Sequence, residues 1–289
     1  MGEIMIPPEL GNRLGALAAM ADESQAGESN AVFRLDEYIQ CTGYFRCVHC
    51  NEASAWYFDD SFMRFLLLSM LTAAVTKYDD DSVVQIGRLQ GFDGYELTCA
   101  ADLEEHLLDL IEKKPSDGFL WNRLGNVYRQ GGVPELATVA YERSVQVDTA
   151  QVESHAALAE FLYYAHEFES FIHHGHAALA HARFYKKCDK LSLHLIIRLL
   201  LRNLLDVSLA LGKPELFLVP KDMLESVFAS HGMRMPKGDL KWEERELDLD
   251  LHDPTTFSGL AEVYIGTRAP KVGQASRRRH RKSKRNRRA

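Results

Sequence analysis

Cysteines, histidines and clustered arginines are the residues of this 289-residue chain that could do chemistry. The five cysteines are Cys41, Cys47, Cys50, Cys99 and Cys188. An odd, sparse set in a chain this long is not a disulfide framework. Cys47 and Cys50 have the C-x2-C spacing that lets two thiolates of one turn share a zinc ion. A closed zinc site takes about four ligands, and no second C-x2-C follows. Cys41 and Cys99 would complete the set with Cys47 and Cys50 if strands bring Cys99 alongside; the alternative is a segment that keeps its fold without metal. A redox role for the pair calls for a cysteine opening a helix in a βαβ setting, and no such setting is readable around Cys47. Histidines gather at His166, His173, His174, His176 and His181. His173 and His176, one helical turn apart, could share a metal; the plainer reading is a polar helix surface whose charge follows pH.

Nothing else resembles catalytic machinery. There is no G-x-S-x-G nucleophile turn, no G-x-x-x-x-G-K phosphate cradle and no Rossmann glycine fingerprint. Acidic pairs are plentiful, but carboxylates without a pocket make only a charged face. The expectation is a non-enzymatic protein with no small-molecule substrate, and with zinc as its one candidate cofactor.

Charge is distributed unevenly. The chain has 34 Lys or Arg and 41 Asp or Glu, a net of −7. From Arg268 to Ala289 there are 11 basic residues and no acid; setting these aside leaves 23 basic against 41 acidic residues, a net of −18. The body should repel nucleic acid and anionic membranes, and the tail should attract polyanions. Nine of the thirteen residues of Ser276–Arg288 are basic: Arg277, Arg278, Arg279, Arg281, Lys282, Lys284, Arg285, Arg287 and Arg288. Such a run binds RNA or a ribosome by counterion release. No aromatic residue interleaves it, so stacking on bases is not available. The alternative is a tail that folds back on the acidic body. With no core-forming residue after Val272, the tail is expected to be disordered. An apolar fraction of 46 % and a charged fraction of 26 % exclude a mainly disordered, collagen-like or membrane protein. The first residues do not read as a signal peptide, and the expected location is the cytoplasm.

These groups must be positioned by elements of two kinds. Before Ala100 the pattern is mixed: a helix over Pro8–Met20, extended chain over Ala31–Trp56 with a turn at Thr42-Gly43, a buried helix over Asp60–Lys77, and short strands at Ser82–Leu89 and Tyr95–Thr98. Residues 1–100 therefore read as a small α+β domain. After it, amphipathic periodicity predicts helices over Asp102–Lys113, Asp117–Arg129, Pro134–Val147, Val152–Ala165, Glu167–Tyr185, Leu191–Leu211 and Lys221–His231. In Leu191–Leu211, the polar residues His194, Arg198, Arg202 and Asp206 recur every four positions, as on one face of a helix in a soluble bundle. Residues 101–232 form the helical domain, 233–266 an acidic, weakly ordered segment, and 267–289 the basic tail.

Two resemblances refine this outline. The Cys47–Cys50 knuckle, with Trp56-Tyr57-Phe58 after it, looks like half of a zinc ribbon, which makes the N-terminal domain a degenerate ribbon-like one. Phe119–Val147 resembles a tetratricopeptide repeat through Trp121, Leu124, Gly125, Tyr128, Ala137 and Tyr141, all at the family's spacing. Trp121, Leu124 and Tyr128 share one helix face, Gly125 and Ala137 permit close approach, and Tyr141 fills the space between. Ser144 stands where the family prefers Ala, and Thr149 where it prefers Pro. A weaker second repeat runs over Val152–Tyr185, with Leu158, Ala159 and Ala178 in register, His155 at the aromatic position and Phe171 at a small one. The resemblance implies a mainly α chain of antiparallel hairpins in a short solenoid, because a single repeat cannot bury its own apolar face. It also implies a protein or peptide partner held in a concave groove lined from the first helix of each pair. Asn122, Arg123, Tyr128, Arg129, Glu153 and Glu160 are the candidates there; the plain alternative for each is an ordinary solvated face. Finally, Ala269–Gln274 resembles the lead-in to a short zinc-binding motif at the C-terminus of many bacterial proteins, but here basic residues follow in place of its cysteines.

Overall fold

Apolar residues at helical spacing recur after Ala100, and there the described backbone is mainly helical. The computed structural model describes residues 4–6, 39–53, 59–75, 84–235 and 248–266 and is mainly α. It forms two compact units, Met1–Asp148 and Thr149–Ala289. Ala100, the expected end of the mixed region, is the first residue of a helix within the first unit.

The first unit contains a three-stranded sheet with β1 (Ile4–Ile6) in the middle. β1 is antiparallel to β2 (Gln40–Cys41) and parallel to β3 (Val84–Ile86), with Ile4 opposite both Cys41 and Val84. A parallel pair needs a crossover, and α1 (Asp60–Val75) lies between β2 and β3 in sequence and packs on β3. The extended chain expected over Ala31–Trp56 is a strand only at Gln40–Cys41 among the described residues; residues 42–47 follow without a ladder, and residues 48–50 turn. Tyr95–Thr98, also expected as a strand, makes only a single bridge, between Glu96 and Gln90. The expected helix over Pro8–Met20 lies outside the described residues.

Among the described residues this unit has three further helices, α2 (Ala100–Lys113), α3 (Gly118–Gln130) and α4 (Pro134–Val147). Local chemistry sets their limits. The Asp117 side chain caps α3 by accepting the Phe119 N–H at 3.0 Å. Gly132 adopts φ +80° in the tight turn out of α3. Pro134, with no N–H to leave unsatisfied, starts α4.

The second unit is built on α5 (Val152–Tyr164), α6 (Phe168–His181), α7 (Lys190–Ala210), α8 (Lys221–Ser230) and α9 (Ser258–Ile265), with 3-10 turns at Pro214–Phe217 and Pro254–Phe257. The Asp189 carboxylate caps α7 by accepting the N–H groups of Leu191 and Ser192. Leu193, Ile197, Leu201 and Leu204 of α7 are fully buried and centre the core. Polar residues of the expected stripe on α7 are engaged within the unit. Arg198 donates to the Pro254 carbonyl at 3.0 Å, Asp206 accepts the Tyr163 hydroxyl at 2.6 Å, and His194 is buried. Leu191, Leu195 and Leu199 face solvent instead. The structure also adds a helix without a sequence expectation. In α9, Leu260, Ala261 and Ile265 join Phe257 in the core. Eight residues beside an acidic stretch are too few to show a helical period; burial holds this helix. No helix among the described residues is long and apolar enough to cross a membrane.

Candidate functional site

The α3–α4 hairpin joins the residues that suggested a repeat. A Cβ on Gly125 would sit 2.5 Å from Cε1 of Tyr141, so only glycine lets the Tyr141 ring lie on α3. Tyr141 and Ala137 are fully buried, and Leu124 and Tyr128 nearly so. The Tyr141 hydroxyl donates to Asn126 Oδ1 at 2.7 Å, which satisfies its polar end inside the hairpin. Trp121 is half-buried, donates from Nε1 to the Pro115 carbonyl at 3.1 Å, and lies under the Arg143 guanidinium. Ser144, a departure from the repeat pattern, is buried with its hydroxyl donating to the Gly118 carbonyl at 2.6 Å. The polar atom therefore costs no unsatisfied group and ties the end of one helix to the start of the other.

Sequence reasoning missed Glu104, the polar centre of this unit. Its carboxylate is buried and accepts from Tyr128 Oη at 2.5 Å, Tyr44 Oη at 3.1 Å, and Arg46 Nη2 and Nε at 2.6 and 3.1 Å. The Tyr44 and Tyr128 rings meet edge to face at 5.5 Å. Burial, reinforced by the carboxylate, pushes the Tyr128 phenol well above its usual range, and hydrogen bonding to Glu104 does the same for the Arg46 guanidinium. Tyr44 also donates its backbone N–H to the Gly131 carbonyl at 3.3 Å, and a side chain on Gly131 would collide with Tyr44. Residues 42–47, which lie outside any helix or strand, are thus held on α2 and the end of α3 by one aromatic and one arginine anchor. No signal in the sequence singles Glu104 out among the acids of α2, because its partners are tens of positions away.

No protein-family model, no curated protein and no solved structure matches this chain.

The four N-terminal thiols fall into two pairs. Cys41 and Cys99 are opposite each other in a parallel bridge, and burial pushes the Cys41 thiol up. The backbone N–H groups of Cys50 and His49, with the Cys50 thiol, hold the Cys47 thiol below its ordinary range. Among the described residues no group of three or more Cys, His, Asp or Glu is placed to hold a metal ion. This applies equally to His173 and His176: His176 is buried and its Nε2–H donates to the Leu216 carbonyl at 2.9 Å, while His173 is exposed.

The α5–α6 hairpin of the second unit has a different centre. Ala159, Phe171 and Ala178 are fully buried, so Phe171 occupies its unexpected position as core, against Tyr163. His155, at the aromatic position, is also buried. Its Nε2 lies 3.2 Å from the Thr149 carbonyl and its Nδ1 2.9 Å from Nδ1 of His174. A carbonyl only accepts, so Nε2 of His155 carries the proton, its Nδ1 accepts, and His174 donates. Burial lowers His155 to about 3 and His174 to about 4, so both rings are neutral at physiological pH.

The groove candidates separate by environment. Asn122 is fully buried and accepts from Arg123, whose guanidinium lies 4.6 Å over the Phe119 ring. Tyr128 is engaged by Glu104, and Glu153 accepts the Tyr185 hydroxyl at 2.6 Å. Glu160 is partly exposed and Arg129 exposed. The tail arginines and lysines lie outside the described residues.

Proposed function

We propose that this chain is a non-enzymatic adaptor that holds an extended segment of a partner protein on tetratricopeptide-type helical hairpins. The observation that carries the reading is the contact of Gly125 with the Tyr141 ring inside the α3–α4 hairpin. A helical pair this tightly closed turns its other side chains outward, the exposed Arg129 among them. The docking of residues 42–47 adds support, because α2 and α3 already hold a segment outside any helix or strand through an aromatic and an arginine. Anchors of these types carry most of the binding energy at protein interfaces. The test is affinity capture from the source cells with the full chain, a chain lacking residues 276–289, and the surface variants R129E and E160K. The adaptor reading expects one protein partner to survive loss of the tail and raised salt. It expects that partner to be lost from a surface variant with unchanged helical circular dichroism. A partner indifferent to both surface variants overturns it.

The charge separation favours a second reading, an RNA- or ribosome-associated factor tethered by Arg277–Arg288. In that case captured RNA disappears with the tail and with salt.

A further inference from the structure

We propose that the outer face of α7 is a self-complementary surface that joins two copies of this chain, helix antiparallel to helix, as a twofold dimer. α7 buries one face in the second unit's core through Leu193, Ile197, Leu201 and Leu204. The opposite face carries Leu191, Leu195, Leu199, Arg202, Asp206 and Leu209. At 3.6 residues per turn these six lie within about 80° of one another around the helix axis. The four leucines are 71, 49, 38 and 59 % exposed in that order. Exposed leucines scattered singly are ordinary, but several on one helix face mark an interaction surface.

The charges decide what covers it. From Leu199 to Leu209 the face runs apolar, basic, acidic, apolar, and Arg202 and Asp206 are equally far from the midpoint of the run. A second α7 laid antiparallel over the same midpoint sets Arg202 against Asp206 of the partner subunit and Leu199 against Leu209 of the partner subunit. Each contact is then made twice, which is the reciprocity that a twofold interface requires. Both charged groups keep capacity for it. Arg202 donates from Nε and Nη2 to Asn203 Oδ1 at 3.1 and 2.9 Å, bonds that do not use Nη1. Asp206 accepts the Tyr163 hydroxyl on Oδ2, a bond that does not use Oδ1. A parallel copy would set Arg202 against Arg202, and a purely apolar partner would bury both charges without their opposites. The antiparallel copy satisfies the leucines and the charges together.

The test is sedimentation of the full chain, freed of nucleic acid, at about 0.1 mM protein, enough to populate a dimer of micromolar Kd. An ionic strength of about 0.15 M screens the mutual repulsion of two acidic bodies. The wild type should sediment as a dimer that dissociates on dilution. R202E and D206R each set like charges together at two places, so each alone should weaken the dimer by at least about tenfold. An equimolar mixture of the two variants should recover it, because each supplies the charge that the other lacks. The double variant R202E/D206R should dimerise by itself. D206R also gives up the Tyr163 bond, so helical circular dichroism is recorded for every variant. Y163F removes that bond, keeps the carboxylate and should leave the dimer intact. A monomeric wild type, a dimer indifferent to both charge reversals, or folded variants whose mixture stays monomeric would each overturn the proposal.

Discussion

Replacing Glu104 with Gln is the sharpest probe of the first unit. The carboxylate side chain is 8 % exposed and its Arg46 partner 17 %. Removing one member of a fully buried ion pair costs about 3–5 kcal/mol. Water can rejoin part of the Arg46 guanidinium, which moves the expectation to the lower end of that range, about 3 kcal/mol. The Tyr128 hydroxyl would still face an amide oxygen and keep a weaker bond. A folded domain has only about 5–15 kcal/mol in total, so the loss should be plain in urea denaturation. Trp121 reports on α3, and it is isolated by W56F and W242F, since the chain has three tryptophans. The midpoint should fall with little change in slope. R46M and the double variant E104Q/R46M close a cycle. If the ion pair is the unit inferred above, the two effects do not add, and the coupling is about 1–3 kcal/mol. An E104Q cost below about 1 kcal/mol, or strict additivity with R46M, would refute the reasoning.

G125A tests the hairpin by the sign of its effect: helix propensity alone favours Ala by about 1 kcal/mol, whereas collision with the Tyr141 ring should cost about 1–3 kcal/mol, and a raised melting temperature would remove the tight packing from consideration. The second unit should lose stability as pH falls. His155 stays neutral in the folded state down to about 3, whereas the unfolded chain takes up its proton from about pH 6.5 downward. Unfolding is therefore favoured by about 2 kcal/mol at pH 5 from this residue alone, and H155F should flatten the pH dependence measured by chemical denaturation between pH 7 and 5. Binding of single-stranded RNA by the full chain should weaken steeply with salt, and deletion of residues 276–289 should flatten that slope; an unchanged slope assigns the binding elsewhere.

The helices were legible because their signals are local. Pro134–Val147 was read with both ends in place, since Pro opens it and the apolar period runs unbroken to Val147. The close approach at Gly125 was also readable, because glycine and the aromatic it receives keep a fixed spacing within one hairpin. The mixed region was read less well. Val, Ile, Phe and Tyr over Ala31–Trp56 favour extended chain, but among the described residues only Gln40–Cys41 finds a pairing edge. β propensity describes fit to a half-buried surface and not the existence of a partner strand. The tail's reading stays compositional, since its residues lie outside those described.

What was not legible shares one cause: the decisive partner is distant in sequence and ordinary in type. Arg46 and Glu104 are 58 positions apart, and nothing marks that carboxylate from its neighbour Glu105, which stays exposed. The four-residue spacing of the polar residues in α7 places them on one helix face but says nothing of their partners, the Pro254 carbonyl and Tyr163, which belong to elements that the helix itself does not announce. The thiol pair is the opposite case: the C-x2-C spacing of Cys47 and Cys50 is conspicuous in the sequence, but among the described residues no third Cys, His, Asp or Glu stands beside it to hold a metal ion.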